Sequence, residues 1–172
     1  MMMYTKKTRI IPVETVLPLE DVKRALNLLD SLDDDEVQNI TEAAFELAER
    51  YCYRCFSKCS VVGEREDGCV EFFLPYGENV VISTVTVDGS VSTAYTYSDV
   101  TGKFKLIGIT SYTSLIVEYE CGFDTLPKSI DRGVKYLVST IFNSGQDFVS
   151  MDVTEVPLRA TAILDSEKYY VI

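Results

Sequence analysis

The groups in this chain that could do chemistry are few, and their spacing narrows them further. Histidine is absent from all 172 residues. That removes the commonest general base, the Ser-His and Cys-His nucleophile pairs, and every zinc site that needs an imidazole. Neither G-x-G-x-x-G nor G-x-x-x-x-G-K-[ST] occurs, so no glycine-rich cradle offers a phosphate to a helix N-terminus. The five cysteines, Cys52, Cys55, Cys59, Cys69 and Cys121, offer more. Thiolates of Cys52-x-x-Cys55-x-x-x-Cys59 could hold a metal if Cys69 or Cys121 supplied a fourth ligand. No second C-x-x-C follows, and Cys52 and Cys55 fall on a helical repeat. The expectation is small buried thiols, with neither disulfides nor a cofactor. Carboxylates two apart, Glu64 with Glu66 and Glu118 with Glu120, share strand faces as two glycosidase acids would. A chain with 27 acidic residues produces such pairs on solvated faces by chance, so an enzyme is not expected.

Binding chemistry is equally constrained by charge. With 16 Lys and Arg against 27 Asp and Glu, the formal net charge is −11, and the cationic excess that releases counterions from a phosphate backbone is missing. Tyr95, Tyr97, Phe104, Tyr112 and Tyr119 could form a stacking platform for single-stranded nucleic acid. Only Lys103 and Lys105 accompany them, so sheet packing is the expected use and a single-stranded nucleic-acid-binding β module is the alternative. Acid is concentrated between Glu20 and Arg50, where Lys23, Arg24 and Arg50 are the sole cations. A solvated helical face explains this, and an acidic channel lining is the sharper reading.

The elements that must position these groups can be read from periodicity. The composition, 47% apolar and 25% charged, is that of one globular domain over residues 1–172. No signal peptide and no membrane span are expected. Leu19, Val22, Leu26 and Leu29 repeat at helical spacing behind Pro18, predicting a helix over 18–29. Asp33, Asp34, Asp35 and Glu36 provide a cap and first-turn acids for a long helix over 34–56, with Val37, Ile40, Ala44, Leu47, Tyr51 and Cys55 on one face. Residues 59–120 read as about six short strands. Asp67-Gly68 predicts a tight hairpin between 59–66 and 69–74, and Asp88-Gly89 separates 80–87 from 91–97. Helix returns over 127–144 with the stripe Ile130, Val134, Leu137, Val138 and Ile141. Val156-Pro157 opens a short helical stretch to Leu164, before the apolar tail Tyr169-Tyr170-Val171-Ile172. Such a chain end either folds back on its own domain or docks on a partner, and docking is favoured. The fold class is α+β, a small helical bundle of three main helices and a short C-terminal one with an inserted antiparallel β region.

In order, these pieces resemble a known family. Leu17-Pro-Leu-Glu-Asp-Val-Lys-Arg-Ala-Leu26, the acidic run Asp33-Asp-Asp-Glu36 and Ile40-Thr-Glu-Ala-Ala-Phe-Glu-Leu-Ala-Glu-Arg-Tyr51 resemble the opening of the tailed-phage head-tail connector (adaptor) family. Leu74-Pro75, Val85-x-Val87-Asp88-Gly89, Val117-x-Tyr119-x-x-Gly122-Phe123 and Leu126-Pro127 resemble its sheet insertion and the start of its third helix. Val156-Pro157 through Leu164 resembles its last helix. The end of helix three, Phe142-Asn143-Ser144-Gly145, and Lys168-Tyr169-Tyr170 depart from the family's Arg-containing versions.

The resemblance implies a structural virion protein at the phage neck, assembled in the host cytoplasm into a dodecameric ring on the portal protein. The ring would extend the DNA channel, let viral DNA pass without specific binding, and offer a platform to a neck, stopper or tail-completion protein. The stopper layer of the same assembly is a further alternative. It also implies a portal-docking surface, with Val156, Pro157, Leu158, Leu164, Tyr169, Tyr170 and Ile172 as candidates in the segment 156–172. Asp33, Asp34, Asp35 and Glu36 are candidates to face the channel.

Overall fold

The computed structural model describes residues 3–28, 34–144 and 158–168. It begins with a strand, β1 (Tyr4–Arg9), followed by the short helices α1 (Val13–Val16) and α2 (Leu19–Ala25) and the long α3 (Asp34–Cys52). Seven strands follow: β2 (Cys59–Arg65), β3 (Glu71–Phe73), β4 (Val81–Val87), β5 (Ser90–Val91), β6 (Tyr95–Ser98), β7 (Lys103–Leu106) and β8 (Leu115–Cys121). Helices α4 (Lys128–Ser144) and α5 (Leu158–Leu164) and a 3-10 turn (Asp165–Glu167) close the described chain. The fold is therefore mixed helix and antiparallel sheet, as the periodicity predicts.

Two sheets divide the strands. One has the order β1-β2-β8-β4-β5 and the other β3-β7-β6, with antiparallel pairing throughout. Val61, Val85, Val117 and Tyr119 from the larger sheet share a core with Phe72, Phe104 and Leu106 from the smaller. A second core is helical. Val37, Ile40, Ala44 and Ala48 of α3 meet Ile130, Val134, Leu137, Val138 and Ile141 of α4 and Leu164 of α5. The whole predicted stripe of α4 is thus buried. Burying a Leu, Ile or Val side chain is worth about 1.5–3 kcal/mol, so these rows set how the helices lie.

Several expected boundaries shift, each for a local reason. Helix α2 stops at Ala25 because Asn27 takes φ 56°, where its amide bonds the Arg24 carbonyl and the Leu28 amide reaches Lys23 O at 3.0 Å. That is a left-handed helix stop with Asn in the position glycine usually fills. The same device ends α3 before the expected 56: Tyr53 has φ 53° and the Arg54 amide bonds Glu49 O at 3.2 Å. Cys55 consequently leaves the helix and enters the turn toward β2.

The expected Asp67-Gly68 hairpin does not form. Strand β2 is already flanked by β1 and β8, and β3 pairs with β7 in the other sheet. A two-residue hairpin of the favoured kind needs positive φ at both positions; at this site only Gly68, at 68°, has it. Asp67 instead accepts bonds from the Cys69 amide and the Tyr112 hydroxyl, and the chain crosses between sheets. At Asp88-Gly89 both residues have positive φ, 48° and 81°, and β4 and β5 form the tight hairpin. The run 91–97 splits, its first residue in one sheet and Tyr95–Ser98 in the other.

Candidate functional site

Strand β1, which carries no apolar alternation, is held by charge. The Glu49 carboxylate on α3 is buried, at 3% exposure, yet accepts from Lys7 Nζ at 2.9 Å, from both Arg9 guanidinium nitrogens at 3.0 and 3.3 Å, and from the Phe56 amide at 2.7 Å. Arg9 also lies 5.1 Å from the Phe45 ring centre. Burial opposes the positive form of Lys7, but Glu49 outweighs it and raises the ammonium's pKa. Four donors and two opposite charges meet the requirement that a buried carboxylate be hydrogen-bonded and paired. None of these residues stood out in the sequence; the only signal was a Glu on the otherwise apolar face of α3.

Beside this carboxylate lie thiols. Cys52, Cys55, Cys59 and Cys121 are all buried, whereas Cys69 is exposed, contrary to the expectation of five buried cysteines. Cys52 faces the helical core, 3.6 Å from Leu164 O, and burial pushes its thiol up to about 12. Cys55 and Cys59 stand with Glu49, their ligand atoms within 4.8 Å of one another, and are the residues able to hold a metal among those described. Contact with Cys121 raises the Cys55 thiol and contact with Cys55 raises that of Cys59, with burial adding to both.

The acidic candidates occupy the first turn of α3. Asp34, Asp35 and Glu36 are exposed there, suited to the positive end of the helix dipole, and Asp34 pairs with Lys23. Asp33 lies outside the described residues. The exposed side of α3 continues the acid through Glu42 and Glu46, about two and three turns on.

Of the expected docking residues, Val156, Pro157, Tyr169, Tyr170 and Ile172 lie outside the described residues, and for Leu158 only its position at the start of α5 is described. Leu164 is not on a surface. It is fully buried, and its side chain fills the space over Gly133 that a Cβ there would need. It is corrected from a docking residue to the bolt that fixes α5 on α4. The turn after it is also tied down: Tyr51 donates to Asp165 at 2.6 Å, Lys168 lies 3.8 Å from the Tyr51 ring centre, and Arg54 bridges Glu78 at 3.3 Å and Glu167 at 3.5 Å.

No protein-family model matches the chain, and no curated protein matches it by sequence. Solved structures do. A chain in the neck of an empty gene transfer agent particle, computed with C6 symmetry, has a TM-score of 0.75 at 14% identity, covering 99% of this chain and 97% of that one. A chain in the neck of the native particle, computed with C12 symmetry, has a TM-score of 0.74 at 14% identity over 100% and 97%. A third, from the virion of the native particle, has 0.73 at 12% over 98% and 96%. The fold is that of a phage-like neck chain. It agrees with the resemblance to head-tail connectors carried by the order of the motifs.

In this neck-type fold the sheet aromatics are committed to packing. Phe104 is fully buried between Phe72 and Tyr95, at ring separations of 5.2 and 5.5 Å, and the buried Tyr119 donates its hydroxyl to Pro75 O at 2.8 Å. Tyr112 is buried and bonded to Cys69 O at 2.8 Å. Rings stacked on each other do not form an open row for bases. No helix among the described residues is long and apolar enough to cross a membrane.

Proposed function

We propose that the chain is a structural subunit of the neck of a tailed-phage-like particle, a head-tail connector that acts as one copy in a ring. The observation that carries this reading is the likeness of fold over 98 to 100% of the chain to chains of a particle neck or virion. The C6 and C12 symmetry of two of those necks supports self-association of this chain into a closed ring. On this reading the role is mechanical, which suits a chain without histidine or a phosphate cradle.

In the finer reading, the ring is the adaptor layer on the portal protein. It extends the DNA channel and presents a platform to the stopper or tail-completion protein. The exposed acid of α3, from Asp34 through Glu46, supports a channel-facing role, because a negative wall repels the phosphate backbone and lets DNA slide. Helix α5 is anchored through Leu164, so the segments on either side of it start from a fixed root. Val156 and Pro157 before it, Leu158 at its start and Tyr169, Tyr170 and Ile172 after it reach the portal, and repetition around a ring multiplies a modest contact per copy.

The test is co-expression of the full chain with the portal protein of its particle, followed by native mass spectrometry. The expected product is a portal ring carrying a matching ring of this chain, lost when Tyr169–Ile172 are removed from an otherwise folded protein. Full-strength binding by the truncated chain refutes the docking assignment, and no binding by the full chain refutes the adaptor role. Reversing Asp33, Asp34, Asp35 and Glu36 to Lys slows DNA passage if they line the channel, measured as the rate of DNA release from assembled particles. An unchanged rate returns them to helix capping.

A further inference from the structure

The neck reading leaves unused the centre where α3, the turn 53–58 and two strands meet. Cys59 opens β2 directly across from Cys121 at the end of β8, the two being Cα partners in the ladder. Cys55, in the turn between α3 and β2, lies in the same core as Cys59 and Cys121. All three are 0 to 1% exposed. Glu49 brings a carboxylate oxygen within 4.8 Å of the Cys55 and Cys59 sulfurs. Gly122, next to Cys121, has φ 101°, and a Cβ there would collide with the Ser57 carbonyl, so the backbones bearing the thiols are in direct contact.

We propose that Cys55, Cys59 and Cys121, with a Glu49 oxygen in the fourth position, form a structural site for a soft divalent cation of the Zn2+ class. The spacing Cys55-x-x-x-Cys59 on a turn falls within that of zinc thiolate pairs, with the remaining ligands arriving from distant segments. Cys52, on the helix, belongs to the helical core instead. Tetrahedral zinc with sulfur at about 2.3 Å needs sulfurs about 3.8 Å apart; the Cys55 and Cys59 sulfurs and a Glu49 oxygen already lie within 4.8 Å of one another, and Cys121, the ladder partner of Cys59, would turn its thiol inward to complete the set.

Charge points the same way. Two cations, Lys7 and Arg9, face the single carboxylate Glu49, an excess of one positive charge at a largely buried centre. A divalent cation with three thiolates carries net −1. With Glu49, Lys7 and Arg9 included, the assembly is neutral, which is the least costly state for charge removed from water. Binding releases three thiol protons to solvent and changes no oxidation state. The metal would bolt α3, β2 and β8 together at the junction of the two cores.

The test uses the full chain, purified in a phosphine reductant, stripped with a chelator and titrated with Co2+. The expected result is a sulfur-to-cobalt charge-transfer band in the near ultraviolet with intense tetrahedral visible bands, saturating at one equivalent and bleached by Zn2+. Cys55→Ser, Cys59→Ser and Cys121→Ser abolish the band, while Cys52→Ser and Cys69→Ser keep it. Should a serine variant fail to fold, wild-type protein decides: Zn2+ raises its melting temperature and protects three thiols from maleimide. A folded wild-type chain with no band in excess Co2+ overturns the site. So does a band that survives Cys55→Ser, or a band lost only with Cys69. A ready loss of two hydrogens in air with no band assigns the cluster to a disulfide instead and also overturns it.

Discussion

Replacing Glu49 with Gln tests how a charged strand is held to an apolar helix. The substitution keeps shape and one acceptor for the Phe56 amide but leaves Lys7 and Arg9 without their counter-charge, and it aims an amide N–H toward donors. Breaking a buried ion pair from one side costs about 3–5 kcal/mol. Lys7 and Arg9 retain 30% and 21% side-chain exposure, so water recovers part of the loss and about 3 kcal/mol, the low end, is expected. For a domain of this size each kcal/mol moves the melting temperature by about 2–4 °C, giving a fall of about 6–12 °C. Urea unfolding followed by circular dichroism, with chelator present so that no metal contributes, measures the cost. In a double-mutant cycle with Arg9→Met, the double variant should lose clearly less stability than the sum of the two single losses. A loss below about 1 kcal/mol, the range of exposed pairs, refutes the argument that this network holds β1 in place.

Three further outcomes follow from the packing. Leu164→Ala opens a cavity over Gly133 and should cost about 3 kcal/mol, with α5 amides exchanging faster by hydrogen-exchange mass spectrometry while α4 stays protected. Gly122→Ala meets both a positive φ and the Ser57 carbonyl, and should cost at least about 2 kcal/mol by chemical denaturation. Stability should fall with alkali. Burial raises Cys52 from 9.0 to about 12, and Tyr112 from 10.0 to about 12. The unfolded chain therefore releases these protons first, and the stabilisation, complete below pH 9, is lost as pH climbs toward 12. Melting temperature across pH 7 to 11 checks the sign, and a flat profile above pH 9 refutes it.

The sequence carries the helical half of the fold more plainly than the sheet half. An apolar stripe such as Ile130 to Ile141 is written locally, so α4 could be read nearly to its ends. Helix ends were less legible because Asn27 and Tyr53 take the left-handed conformation that glycine usually marks, and Tyr gives no warning of it. Strand β1 escaped notice because its sequence, Tyr4-Thr-Lys-Lys-Thr-Arg9, alternates nothing apolar; it is an edge strand whose charges suit its position and whose stability comes from Glu49, some 40 residues away. Asp67-Gly68 and Asp88-Gly89 look alike as dipeptides, and only the partners already taken by β2 decide which becomes a hairpin.

The candidate sites divide in the same way. First-turn acids at Asp34, Asp35 and Glu36 follow from local rules and stand where those rules put them. Leu164 reads as part of an apolar chain end, but the glycine that receives it, Gly133, lies in another helix. The thiol cluster needed Cys121 to be set beside Cys59 by a strand pairing spanning about sixty residues, which no spacing rule along one segment reveals.

Cryo-electron microscopy of the particle that carries this chain tests the central claim most directly. The account predicts that the fold described here fits, as repeated copies in a closed ring at the neck between portal and tail, with the exposed acid of α3 turned to the lumen and the C-terminal segment against the portal. Density for the chain elsewhere in the particle, or intact necks from which it is missing, would contradict it.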